Sequence, residues 1–250
     1  MKIAVCIKRT PDSESRFRVA PGGASIDESG LKFDMDDFAG YAVEVGLQLN
    51  EKQGPGETVV FAVGPDAVQE TLRKAMSMGA DRAVHLKSDA AMFDGLAVAR
   101  ALAAELKAGS FDLVLFGKYA FDTSASIVGT ATAQLLGVPC VTAASKLEIA
   151  NGRGTARREL EGAGEMVEFA LPAVVTIDEG IARPRYPSLK GIMAAKKKPL
   201  ETRPAQLGDV RVTVKSMELP PERPPGRVVG QGKEAVPELV RLLQEEAKVL

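Results

Sequence analysis

The stretch "FGKYAFDTSASIVGTATA", residues 116–133, carries residue types that could hold a nucleotide. It leaves a strand at Gly117 and Lys118, passes Asp122, Thr123, Ser124, Ala125 and Ser126, and enters a helix with Ile127, Val128, Gly129, Thr130 and Thr132. The first turn of a helix offers unpartnered N–H groups and the positive end of a dipole to an anion, and small residues there let backbone approach a phosphate. A helix merely capped by Asp122 to Ser126, with its small-residue face packed on a sheet, would show the same pattern. "MDDF" at 35–38 is a second candidate, with Asp36 or Asp37 placed either to cap the next helix or to meet a ligand.

Catalytic chemistry finds little to use. The one histidine, His85, cannot form a paired-histidine metal site and is read as a strand-end residue near the surface. Strand one runs into "KRTPD" rather than a glycine fingerprint, no phosphate-loop motif occurs, and "GQGKEA" lacks the third glycine. Cys6 and Cys140 lie far apart in apolar, strand-like runs, which reads as two buried, reduced thiols of a cytoplasmic protein. No nucleophile and no general base can be nominated, so the expected activity is binding and presentation.

A third stretch, "RPRYPSLKGIMAAKKKP" at 183–199, has six cations (Arg183, Arg185, Lys190, Lys196, Lys197, Lys198) and no acid. Tyr186, Leu189, Ile192 and Met193 sit among them, and Pro184, Pro187 and Gly191 within the stretch argue against continuous helix. Aliphatic side chains in a basic loop fit an anchor for another protein, with Ile192 and Met193 equally able to pack inward.

The positioning elements follow from periodicity. "KIAVCI", "ETVVFAVG", "RAVHL", "FDLVLFG" and "VPCVTAASKLEI" are apolar strands. Between them lie helical patterns: one after Asp36 or Asp37, one opened by Asp66, one over 92–108 and one over "SASIVGTATAQLLG". Apolar strands alternating with amphipathic helices predict a parallel sheet covered on both faces, with ligands beyond the carboxyl ends of its strands. "GTARREL" and "EMVEFAL" around "EGAG" predict a hairpin, and "PAVVTID" a further strand. The expected division is an α/β domain over 1–199, with the basic loop at 183–199, and a Pro-rich arm over 200–250. That arm ends in an amphipathic helix at 236–249 and suits wrapping around a partner. A formal net charge of −1 excludes nucleic-acid binding through bulk charge, and no apolar run is long enough to span a membrane.

Five segments in order, "VCIKRTPD", "SMGADRAVHL", "DLVLFGKYAFD", "RRELEGAGE" and "LPAVVTIDEGIARPRYPSLKGIMAAKKKP", resemble the beta subunit of electron transfer flavoprotein over nearly the whole chain. The resemblance implies a Rossmann-like fold of the adenine nucleotide alpha hydrolase type without catalytic residues, paired with a homologous alpha subunit. It implies an FAD held mainly by that partner and a structural AMP in this chain. By motif, the nucleotide positions are Cys6, Asp36, Asp37, Phe38, Ala39, Val63 and Gly117 through Val128, with Phe38 near the flavin. A second FAD in place of AMP, with NADH oxidation, characterises bifurcating relatives and stays open. The basic loop matches the family's recognition loop, with Leu189 as the anchor, and Glu159 matches a glutamate that meets an arginine of the alpha subunit. Acyl-CoA and related dehydrogenases are the implied electron donors, and a membrane quinone oxidoreductase the acceptor. The chain departs from the pattern at Asp36–Asp37, where Asn-Pro is usual, and at Ser126, Ile127 and Val128, where polar side chains are usual.

Overall fold

The computed structural model describes residues 1–89, 94–222 and 225–250. Its nine-stranded sheet is built around β1 (Lys2–Cys6), flanked by β4 (Glu57–Gly64) and β6 (Leu113–Gly117), both parallel to it. β5 (Arg82–Lys87) lies outside β4, while β10 (Ala173–Ile177) and β7 (Cys140–Ala150) lie outside β6. The five apolar strands expected from the sequence all form. Side chains alternate across the sheet, so Ile3 and Val5 enter one core while Ala4 and Cys6 enter the other.

Helices cover both faces: α1 (Asp37–Gln53) and α2 (Val68–Met78) on one, α3 (Gly95–Gly109) and α4 (Val128–Leu136) on the other. Asp36 caps α1, as its position predicted, accepting from the Phe38 N–H at 3.0 Å. Asp66 does not cap α2, whose start carries no side-chain cap; its carboxylate pairs with Lys87 at 2.7 Å instead. The helix expected over 92–108 runs from Gly95 to Gly109, and residues 92 and 93 lie outside the described set.

The hairpin appears as β8 (Arg153–Leu160) and β9 (Ala163–Ala170), antiparallel and joined to β7. β2 (Arg9–Pro11) and β3 (Phe33–Met35) form a small separate ribbon. The basic loop contains a seven-residue helix, α5 (Leu189–Ala195), capped by Ser188. Pro187 disfavours helical backbone at Tyr186, so the helix starts after it, and its seven residues make about two turns.

The arm packs on its own domain further than its composition suggested. β11 (Leu200–Pro204) is the parallel edge strand beside β5. The Ala205 N–H donates to the Lys87 carbonyl, the Arg211 N–H to Asp94 at 2.7 Å, and the Met217 N–H to the Gly23 carbonyl at 2.7 Å. The terminal helix, α6 (Val236–Glu245), is shorter than expected and has no buried residue.

Two further expectations are corrected. His85 is fully buried rather than near the surface: its Nε2–H donates to the Gly64 carbonyl at 2.8 Å, and Nδ1 accepts from the Gln69 amide at 3.3 Å. Both ring nitrogens are thereby used to fix the loop after β4. Cys140 is exposed at the start of β7, whereas Cys6 is buried and its thiol pKa is pushed far up by that burial.

Candidate nucleotide crevice and docking segment

Sheet order reverses between β1 and β6, and a crevice opens there beyond the carboxyl ends of β1, β4 and β6. It contains about 870 Å³ of atom-free space counted out to its open mouth, solvent included. Cys6 and Val63 line it from the ends of β1 and β4, Asp36 and Ala39 from the start of α1, and Gly117 and Lys118 from the end of β6. Thr123, Ala125, Ser126, Ile127, Val128 and Gly129 contribute from the loop before α4 and its first turn. Val98, Leu102 and Phe116 add an apolar wall.

Six expected residues are not among those lining it; one is Phe121, an exposed side chain whose N–H donates to Asp36. Asp37 is exposed beside the α1 start. The Phe38 ring packs against Tyr119 at 4.5 Å and Tyr41 at 6.0 Å between centroids. Asp122 accepts from Lys8 Nζ at 2.7 Å. Ser124 is exposed with a left-handed backbone. The Thr132 hydroxyl donates to the Val128 carbonyl inside α4. Lys8, missed from the sequence, also lines the crevice; only its position just after strand one could have pointed to it.

Of the capping reading of residues 116–133, the packing half holds and the cap does not form. α4 starts at Val128, four residues later than the sequence pattern implied, and no side chain caps it. That contrasts with α1 and α3, whose caps Asp36 and Asp94 accept from first-turn N–H groups. Among the described residues, no side chain takes up the first N–H groups of α4 at the crevice wall. Its small face also packs hard: a Cβ on Gly129 would lie 2.7 Å from Thr176 Cγ2.

Asp36 spends its charge on the protein. Oδ1 accepts from Phe38 N–H and Oδ2 from Phe121 N–H at 2.9 Å, tying the α1 start to the loop before α4. Burial pushes its carboxyl pKa up, and the N–H groups of Phe121, Phe38 and Ala39 offset only part of that. Close approach at the same junction explains Gly117, where a Cβ would sit 2.8 Å from the Ala39 backbone nitrogen. Gly117→Ala is expected to cost about 1–3 kcal/mol of stability by forcing α1 outward, read as a lowered urea midpoint. An unchanged midpoint would contradict that packing.

α5 presents Leu189, Ile192 and Met193, 79%, 44% and 56% exposed, and Tyr186 just before it is 91% exposed. Ile192 and Met193 thus do not pack inward. Arg185 is anchored: its guanidinium donates to both Glu44 oxygens at 2.8 and 2.9 Å and to Glu51 at 2.5 and 3.0 Å. Burial alone would raise the Glu44 carboxyl, but Arg185 and Gln48 more than reverse this and its pKa is lowered. A depressed folded-state value gives stability above the ordinary glutamate range that is lost as pH falls through the folded pKa. Below that range, exchange of the Arg185 amide, which donates to Glu44, and of Tyr186 is expected to accelerate ahead of global unfolding. Simultaneous loss would contradict a local anchor.

Glu159, on the hairpin, is exposed and already has a partner in its own chain, Arg157 Nε at 2.9 Å, with Ser145 Oγ donating at 3.1 Å.

The mostly parallel sheet, its reversal point and the helices on both faces define a Rossmann-like α/β domain. The electron transfer flavoprotein domain matches residues 24–207. The chain is 38% identical over 226 residues to the electron transfer flavoprotein subunit beta of Syntrophomonas wolfei, covering 90% of this chain and 88% of that one. It is 36% identical over 262 aligned positions to the subunit beta of Bacillus subtilis, covering 100% of both. For the human subunit beta the identity is 36% over 253 positions, covering 100% and 99%. The chain belongs to the electron transfer flavoprotein family and corresponds to its beta subunits along its length.

Proposed function

We propose that this chain pairs with a flavin-bearing alpha subunit and serves as the docking and scaffold half of an electron carrier. It accepts electrons from flavin dehydrogenases of the acyl-CoA dehydrogenase type and delivers them toward the quinone pool. The redox chemistry, when bound, is that of an FAD held mainly by the partner subunit. This chain's residues hold an adenine nucleotide, AMP, in the crevice: the uncapped start of α4 suits a phosphate, and the apolar wall of Val98, Leu102 and Phe116 suits a ring. Phe38, clustered with Tyr41 and Tyr119, is the aromatic offered toward the flavin side.

The observation that carries the docking role is the exposure of Leu189, at 79%, on a segment anchored through Arg185. An aliphatic anchor with a charged rim gives specificity while permitting rapid release, as a carrier needs. Stopped-flow bleaching of the flavin in the purified heterodimer tests the function. Mixing with substrate-reduced acyl-CoA dehydrogenase is expected to bleach it at a rate that saturates with dehydrogenase concentration. No bleaching by any such dehydrogenase would refute the assignment.

A further inference from the structure

The six cations of residues 183–198 divide into two sets. Arg185 is committed to Glu44 and Glu51. Lys198 is committed to α2: its Nζ donates to the carbonyls of Met76, Gly79 and Ala80 at 3.1, 3.2 and 2.7 Å. Arg183, Lys190, Lys196 and Lys197 are exposed and form no ion pair among the described residues.

The Lys198 contact has a reciprocal. Arg73, on α2, donates through Nη1 to the carbonyls of Ala195 at 2.6 Å and Lys198 at 2.8 Å, the exit of α5. A helix end leaves carbonyls without partners and carries partial negative charge, so a cation there is stabilising. Here each helix end is satisfied by a cation from the other segment. The packing agrees. Ala195 is 3% exposed, and a Cβ at Gly191 would lie 2.5 Å from the Ser77 carbonyl oxygen. Positions 191 and 195 thus form the inner face of α5, one turn apart, and 189, 192 and 193 its outer face. A seven-residue helix does not persist alone in water, so these clamps decide whether that face exists before a partner arrives.

We infer that Arg73 and Lys198 are positioning residues that hold α5 ready for docking, and that only Arg183, Lys190, Lys196 and Lys197 form the charged rim around its apolar face. The matching partner surface is an apolar socket with acidic groups at its edge. The inference rests on the docking reading above. Pre-organisation removes the ordering cost from the encounter.

The test uses the full chain co-purified with its flavin-bearing partner. Arg73→Met should speed amide exchange across residues 189–195. It should also raise the dehydrogenase concentration for half-maximal flavin reduction by roughly tenfold, the loss expected when the competent conformer falls to about a tenth. The maximal rate and the melting temperature should stay near wild type, and Arg73→Lys, which keeps a donor and the charge, should recover part of the effect. Lys198→Gln should behave like Arg73→Met and keep the wild-type salt dependence of docking. Lys196→Gln and Lys197→Gln should instead flatten the salt dependence and leave exchange unchanged. Wild-type exchange and half-saturation in both Arg73→Met and Lys198→Gln would overturn the inference. So would a salt dependence flattened by Lys198→Gln as much as by Lys197→Gln. A wild-type response of Leu189→Ala in the same assay would sink the docking reading itself, while the exchange data still judge the clamp.

Discussion

Leu189→Ala is expected to raise the dehydrogenase concentration for half-maximal flavin reduction by roughly 30-fold, which is what about 2 kcal/mol of lost anchor energy gives. The side chain is 79% exposed and contributes nothing to the core, so stability and bound flavin should stay at wild-type levels. The effect should exceed that of any single rim lysine, because a charge at the edge of an interface chiefly changes the encounter rate whereas a buried anchor changes the lifetime. Ile192 and Met193 share the outer face of α5 and should follow in smaller steps. If Leu189→Ala reduced its flavin with unchanged half-saturation against several dehydrogenases, α5 would not be the docking element.

Deleting residues 219–250 is the second large expectation. It removes α6, whose Val236, Leu239 and Val240 are 52%, 44% and 37% exposed and none of whose residues is fully buried. Its ion pairs, Arg241 with Glu238 and Glu245, are internal to the helix. Ten residues of isolated helix are marginal in water, so an amphipathic helix in this state implies a surface elsewhere that covers it. Burying three such aliphatic side chains on the alpha subunit would be worth about 3 kcal/mol, and their loss should weaken assembly about 100-fold. The cut spares the Arg211 and Met217 tethers, so the remaining domain should keep its circular dichroism spectrum. A truncated chain that still co-purified in full with its partner would contradict the assembly role.

The alternation of apolar strands and helices made the sheet legible, because strands covered on both faces need continuous apolar runs. The crevice was legible for the same reason: in such a sheet, the loops after β1, β4 and β6 must meet beyond its carboxyl edge. Insertion of β10 between β6 and β7 was not legible, since no local pattern encodes which of two parallel neighbours a buried strand joins. His85 was misplaced because a polar residue late in a strand looks like a surface one, and Gly64 and Gln69, which satisfy it, lie 21 and 16 residues away. Cys140 was misplaced because its run is apolar although the residue itself is exposed at the strand start. The division of the basic loop into clamps and rim was invisible too. Arg185 and Lys198 look like their neighbours in sequence, and their partners sit 134–141 and 118–122 residues away, on α1 and at the end of α2.

The claim that this chain holds a nucleotide in its own crevice while sharing a single flavin with a partner is tested most directly by what the purified heterodimer releases on denaturation. Mass spectrometry with absorbance quantitation should find one FAD and one AMP per heterodimer. Two FAD and no AMP would contradict the account and put a second flavin, with the bifurcating chemistry that accompanies it, in the crevice between β1 and β6.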